Sequence, residues 1–257
     1  MRVTFLGTGA AGGVPRYGCP CAACERARCH AAHVRRPCSA LVETGHTRIL
    51  LDAGLTDLHE RFAPGTLDAI VLTHFHPDHV QGLFHLRWGF GPRIPVYGPP
   101  DPEGCADLYK HPGLLEFSAL AEFEPAMVGD MTLTPLPLIH SKLTFGYAIE
   151  SGEGARFAYL TDTLGLPPRT ERYLAGWRAH GLAVDCSYPP RSDPKNHNDW
   201  TTALGLIDKL RPGRAWLTHI SHNVDAWLME TNASPPGAAV ASDGEQIELR
   251  ANAEGPP

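Results

Sequence analysis

The stretch THFHPDHVQG (residues 73–82) places His74, His76, Asp78 and His79 within six positions. Imidazoles beside a carboxylate form a ligand set for borderline divalent ions such as zinc, manganese or iron. In an extended segment His74 and His76 project to the same side. Pro77 turns the chain, and Asp78 and His79 start a helix whose positive end suits a carboxylate. The pattern therefore predicts half of a metal site, and the other half must come from elsewhere. Four apolar runs end on a metal-competent side chain: AIVLT on His74, LTPLPLI on His140, RFAYLT on Asp162 and RAWLT on His219. Strand tips along one sheet edge converge easily, because the sheet fixes them while the loops leave access. These seven residues, with one carboxylate bridging, suffice for two ions and leave positions open to water. His30, His33, His46, His59, His85, His111 and His180 lack this context and read as ordinary polar residues.

The elements that would carry these residues are mostly strands. VTFLG (3–7), ALVET (40–44), RILLDAG (48–54), AIVLT (69–73) and PVYGPPD (95–101) are strand-like, as are FGYAIE, RFAYLTD, LAVDCS and RAWLTH. MTLTPLPLIH (131–140) is extended, since its prolines exclude a helix. Helical spacing predicts helices over 78–90 and 201–210. Many strands with helices interspersed fit two packed sheets flanked by helices, an α/β sandwich. The 257 residues suit one domain over 1–250 with a flexible tail at 251–257. Hydrophobic residues make up 43% and charged residues 19%, a globular balance. No apolar run reaches the ~20 residues of a membrane span. MRVTFLGTG enters a strand pattern without a basic-then-apolar leader, which predicts a cytoplasmic protein. The net charge of −6 argues against a nucleic-acid partner.

Four of the seven cysteines, Cys19, Cys21, Cys24 and Cys29, fall in eleven residues; the others are Cys38, Cys105 and Cys186. An odd count without an export signal disfavours a disulfide framework. Cys19, Cys21 and Cys24 form C-x-C-x2-C, three thiolates that suit a structural zinc within a loop at about 18–38. Zinc wants a fourth ligand, and Cys29 and Cys38 are candidates.

With these residues in place, THFHPDH followed by a lone His, Asp and His resembles the metallo-β-lactamase superfamily. FLGTGAAGGVP is similar to the opening of its ribonuclease and phosphodiesterase branch. GCPCAACERAR, RRPCSALV, HVQGLFHLRWGFG, KHPGLLEFS, PLPLIHSKLTFGY, DCSYPPR and THISHNVDAWLME resemble a family of phosphodiesterases that open phosphoribosyl 1,2-cyclic phosphate in phosphonate (carbon–phosphorus lyase) metabolism. The likeness runs from about residue 5 to residue 230. It implies an αββα sandwich with two active-site ions, manganese or zinc. His74, His76 and His140 would hold one, Asp78, His79 and His219 the other, with Asp162 bridging. It implies His222 as the fourth zinc ligand and His197, in PKNHNDW, as the general acid for an alkoxide leaving group. The implied substrate is a small phosphorylated sugar.

Around this set, Asp52 and Asp185 are expected to orient ligand imidazoles or loop backbone. GTGAAGG (7–13) could cradle a phosphate, although a tight turn accounts for it equally simply. Ser141, Lys142 and Arg191 are candidates for the sugar's terminal phosphate. A tRNA 3′-end ribonuclease and a non-enzymatic cofactor-assembly protein are the alternatives within the superfamily. The sequence leaves a monomer and a homodimer equally open.

Overall fold

Short apolar runs punctuated by Gly and Pro dictate strands rather than long helices in this chain. A computed structural model describes residues 1–191 and 193–251, so the expected tail beyond residue 251 lies outside the described residues. The first half of the chain gives β1 (Arg2–Gly7), β2 (Ser39–Glu43), β3 (Arg48–Leu51), β4 (Ala69–Val71), β5 (Ile94–Gly98) and β6 (Leu115–Ala119). The second half gives β7 (Ala126–Val128), β8 (Met131–Pro137), β9 (Phe145–Ser151), β10 (Arg156–Leu160), β11 (Gly181–Asp185), β12 (Arg214–Thr218) and β13 (Ala239–Val240). β14 (Gln246–Glu248) returns to pair with β1. The two seven-stranded sheets run β14-β1-β2-β3-β4-β5-β6 and β13-β12-β11-β10-β9-β8-β7. In each, antiparallel pairing changes to parallel, at β3 in the first sheet and at β10 in the second. The helices are α1 (Ala22–Cys29), α2 (Leu58–Arg61), α3 (Pro77–Val80), α4 (Leu83–Leu86), α5 (Ala106–Lys110), α6 (Pro168–Trp177), α7 (Trp200–Leu210) and α8 (His222–Thr231).

Strand alternation explains the layers. Ile49, Leu51, Ala69 and Val71 of the first sheet meet Leu133, Phe157, Tyr159 and Trp216 of the second in the central core. Leu50 and Ile70 point the other way, onto Leu58, Val80 and Leu83. Ala158, Leu160, Val184 and Leu217 face Leu174, Leu206, Ile207 and Val224 of the helices over the second sheet. Strands buried on both faces read as continuous apolar runs. The result is the α/β/β/α sandwich expected. Truncating a central aromatic such as Phe157 would cost about 3–5 kcal/mol.

Two contacts tie the sheets together beside His74. The Tyr147 hydroxyl donates to Leu72 O at 2.7 Å, and Phe145 N donates to Thr73 O at 2.9 Å. The helix expected over 78–90 is instead two short ones, α3 and α4. Gly82 between them lies against the chain after β3: its amide donates to Ala53 O at 2.8 Å, and a Cβ there would collide with Leu55 O. The expected zinc loop at 18–38 also contains a helix, α1, whose Ala23, Cys24 and Ala27 are buried. No helix among the described residues is long and apolar enough to cross a membrane.

Candidate active site

β8, β10, β11 and β12 run in one direction, because β10, β11 and β12 are mutually parallel and β9 reverses twice between β8 and β10. Their C-terminal ends therefore share an edge, which carries His140, Asp162, Asp185 and His219. The ends of β3 and β4 in the facing sheet bring Asp52, His74 and His76, and α3 brings Asp78 and His79. Asp52, Asp162 and His219 all hold left-handed backbone, with φ of 55°, 57° and 56°. Such strain costs about 1–3 kcal/mol at each non-glycine residue and persists where surrounding structure enforces it. Here it turns the chain sharply at the strand tip.

The ligand atoms of His74, His76 and His140 lie within 4.8 Å of one another, as do those of Asp78, His79 and His219. His74 Nε2 is 2.8 Å from His76 Nδ1, which is 3.1 Å from His140 Nε2. Asp162 stands between the groups: Oδ1 is 3.8 Å from His140 Nε2 and 3.4 Å from His219 Nε2, and Oδ2 is 3.2 Å from His79 Nε2. The structure thus brings together all seven residues singled out in the sequence.

Neighbouring hydroxyls and carboxylates set the direction of each ring. His79 Nδ1 donates to Asp52 Oδ2 at 2.9 Å. His74 Nδ1 lies 3.0 Å from Thr73 Oγ1, whose hydroxyl reaches Asp52 at 3.0 Å. His219 Nδ1 lies 2.8 Å from Ser187 Oγ, which donates to Asp185 Oδ1 at 2.7 Å. A proton on each Nδ1 leaves the Nε2 lone pairs of His74, His79 and His219 facing the centre. His79 Nε2 and His219 Nε2 are buried and make no hydrogen bond among the described residues. Buried polar atoms without partners are costly, and a cation at the centre would satisfy them. The charge balance agrees. Burial alone would raise Asp162, yet His219 and His79 hold its carboxyl well below the usual range. Burial alone would lower His219, yet Asp162 and Asp78 lift it to about 9; the carboxylates thus call for positive charge at its Nε2, which a metal ion would supply in place of a proton. The donor set fits divalent metal ions.

His197 comes from the loop before α7. Its Nδ1 is 2.7 Å from Asp185 Oδ2 and 3.8 Å from Asp162 Oδ1, and its ring stacks on His219 at 4.8 Å. Asp185 thus fixes His197 directly and His219 through Ser187. Ser187 and Thr73 escape sequence reasoning, since a hydroxyl in a strand-end motif carries no type signal; their only clue is adjacency to Asp185 and His74. Of the phosphate candidates, Lys142 lies 3.7 Å from Asp101. Ser141 is exposed beside it, and the Arg191 guanidinium sits 4.6 Å over the Tyr188 ring.

The cysteine cluster forms a second group. Sγ of Cys19, Cys21 and Cys24 and a nitrogen of His222 lie within 4.8 Å of one another. His222 Nδ1 is 3.4 Å from Cys19 Sγ and 3.5 Å from Cys21 Sγ. Cys29 is exposed at the end of α1. Cys38 is buried in the core, 3.2 Å from the Tyr159 hydroxyl. His222 therefore takes the fourth position for which Cys29 and Cys38 were candidates.

Comparisons with known proteins agree with this arrangement. A family model described as a beta-lactamase superfamily domain matches residues 47–220. A solved structure described as a new diphosphatase from the PhnP family is 28% identical with a TM-score of 0.82, over 98% of this chain and 99% of that one. Zinc-bound PqqB from Methylobacterium extorquens, 23% identical, shares the fold with a TM-score of 0.77 over 97% of this chain and 100% of its own. Among curated proteins, an octanoyltransferase of Porphyromonas gingivalis is 29% identical over 95% of this chain, which spans about half (51%) of that protein. A ribonuclease Z of Methanopyrus kandleri is 29% identical over 82% of this chain and 90% of its own length. The family match covers more than half of the chain and contains every residue of the imidazole–carboxylate cluster, so this chain belongs to the β-lactamase superfamily and is a metal-dependent hydrolase of that fold.

Proposed function

We propose that this hydrolase is a phosphodiesterase that opens 5-phospho-α-D-ribosyl 1,2-cyclic phosphate to ribose 1,5-bisphosphate, a cytoplasmic step of phosphonate breakdown. The observation that carries the reading is the pairing of two ligand triads across Asp162 with a separate imidazole, His197, held against Asp185. In this reading His74, His76 and His140 hold one ion, Asp78, His79 and His219 hold the other, and Asp162 bridges, with manganese or zinc as the metal. When bound, two such ions supply Lewis acidity at the phosphoryl group and ease the ionisation of water. The chain's own residues do the rest. Asp52 and Asp185 lock the ligand rings, so the site stays organised through the reaction. Water adds to phosphorus and the sugar 2-oxygen departs. An alkoxide leaves poorly, and His197 Nε2, opposite the atom held by Asp185, gives it a proton. Cys19, Cys21, Cys24 and His222 hold a structural zinc that ties the chain before α1 to the start of α8 and takes no part in the chemistry.

The similar structure described as a diphosphatase favours a second reading, in which the same centre cleaves a diphosphate bond. Purified, metal-analysed protein should be assayed side by side on 5-phosphoribosyl 1,2-cyclic phosphate, a nucleoside diphosphate, bis(p-nitrophenyl) phosphate and precursor tRNA. Fastest turnover of the cyclic phosphate is expected. Preference for the diphosphate would replace this reading with the second, and endonucleolytic cleavage of the tRNA would replace both.

A further inference from the structure

A cavity of about 250 Å³ opens beside the metal-ligand cluster, with His197 and His219 in its wall. The opposite wall consists of the turn Ala10–Gly13, Arg16, His222 and Asn223. Nothing in the assigned chemistry uses that wall. Arg16 is anchored through its backbone: its amide donates to Cys24 Sγ at 3.3 Å, and its carbonyl accepts from Cys19 N at 3.2 Å. Its guanidinium is exposed and forms no ion pair among the described residues. It meets His222 instead, with Nη1 3.3 Å from Nε2.

That contact carries the inference, which rests on the zinc reading. If Nδ1 of His222 binds zinc through its lone pair, the ring proton resides on Nε2. A guanidinium has no acceptor. Arg16 and His222 then present two donors to each other, and the contact cannot be a hydrogen bond. Two donors this close favour an acceptor beside both of them, and a phosphate oxygen can take a hydrogen bond from each. The turn adds to the demand. Gly13 N is satisfied by Ala10 O at 2.8 Å, whereas the amides of Ala11 and Gly12 make no backbone hydrogen bond among the described residues. Gly12 lies beside the Arg16 stem, which a Cβ built at Gly12 would meet at 3.7 Å, an ordinary contact distance. Free turn amides beside a cation form an anion-binding concavity.

We propose that Arg16, His222 Nε2–H and the Ala11–Gly12 amides form a phosphomonoester subsite, which receives the terminal phosphate of a substrate whose reacting phosphoryl group lies at the metal cluster. The zinc would thereby orient a specificity determinant: it holds His222 with its Nε2 proton outward and Arg16 beside it. Arg16 is a substrate-binding residue in this scheme, and the reacting bonds are made and broken elsewhere.

The test compares substrates with and without the second phosphate. Arg16→Ala, and Arg16→Gln to keep the stem, are assayed with zinc content measured on each. The ratio of kcat/KM for 5-phosphoribosyl 1,2-cyclic phosphate to that for bis(p-nitrophenyl) phosphate should fall about 10- to 100-fold, the range for losing a hydrogen bond to a charged group, mostly through KM. Equal losses on both substrates, or a fall reproduced by Arg191→Ala but not by Arg16→Ala, would overturn the subsite. A second readout does not depend on the proposed substrate: ribose 5-phosphate as inhibitor of bis(p-nitrophenyl) phosphate turnover, with ribose as control. Its inhibition constant should rise at least about tenfold in Arg16→Ala. If the wild type leaves the cyclic sugar phosphate intact while this constant still rises, the substrate assignment fails and the subsite stands. An unchanged constant removes the subsite whatever the substrate.

Discussion

His219 and His222 are three residues apart, yet they belong to two differently built clusters. The cluster around Asp162 draws on the ends of β4, β8, β10 and β12 and on α3, from residue 74 to residue 219. Its imidazoles and carboxylates are largely buried, and separate side chains orient them: Asp52, Thr73, Asp185 and Ser187. The cysteine cluster takes three ligands from six consecutive positions and one from the first turn of α8. In the proposed reading three thiolates and an imidazole would complete a tetrahedral zinc shell, whereas the oxygen- and nitrogen-rich cluster would keep room for water and substrate. On the proposed reading, assembly from distant strands would accompany chemistry here, and assembly from a local turn would accompany fastening. Substitutions on the two sides should break different things.

Asp162→Ala should have the largest effect. Loss of the carboxylate that stands between the two triads should abolish turnover, a fall beyond about 10⁴-fold, because in the proposed reading both ions would lose their common ligand. Asp162→Asn, which tolerates the left-handed backbone at this position, separates ligand loss from strain. Circular dichroism and zinc in the cysteine cluster should be unchanged. A variant that keeps its full metal content and near-normal rate would remove Asp162 from the bridging role.

His197→Ala comes next and separates proton transfer from metal binding. The variant should keep its metals and lose roughly 10²–10⁴-fold on a substrate with an alkoxide leaving group. With p-nitrophenolate, which departs without a proton, the loss should be far smaller. Equal losses on the two substrates would make His197 a binding residue, and loss of metal would make it a ligand.

Asp52→Asn should act more gently. The His79 ring and the Thr73 amide and hydroxyl all depend on this carboxylate. Replacing such a support typically costs about 10–100-fold in metal affinity or activity. Competition against a chelator should show the weakening, and excess metal should restore the rate. A rate that excess metal does not restore would indicate damage to the fold.

How far the sequence reached follows the same division. His74, His140, Asp162 and His219 were legible because each ends an apolar run, and a strand's tip can be read without knowing its partners; His76, Asp78 and His79 were legible because they crowd into the five positions after His74. The cysteine triad was legible because its spacing is local. The supports Thr73 and Ser187 were not, since each is defined by a contact across space: 114 positions separate the two, and neither has a distinctive neighbour pattern. The break in the helix over 78–90 was hidden for a related reason. Helical spacing continues through Gly82, but its amide is taken by Ala53 O across the chain instead of by the preceding turn. His222 was reached through family resemblance, because residue type alone left Cys29 and Cys38 as equal candidates. Burial of Cys38 between the sheets and exposure of Cys29 at the end of α1 are tertiary facts.

Cys21→Ser should have the smallest effect on chemistry, and it tests the comparison from the other side. Serine keeps the size of the side chain but gives up the thiolate that zinc prefers. The variant should lose one zinc per chain while the ions around Asp162 remain. A structural ion contributes its binding free energy to folding, so the melting temperature should fall. In a domain of this size each kcal/mol is worth about 2–4 °C, and a drop of several degrees is expected. Cys29→Ser is the matched control: that thiol is exposed and outside the cluster, so zinc content and melting temperature should stay at wild-type values. Activity on bis(p-nitrophenyl) phosphate at a temperature well below the melt should fall much less in Cys21→Ser than in His197→Ala with the alkoxide substrate. Unchanged zinc in Cys21→Ser would exclude the cysteine cluster as the site. Loss of activity without any loss of stability would place the zinc in the chemistry and remove the division between an open catalytic cluster and a closed structural one.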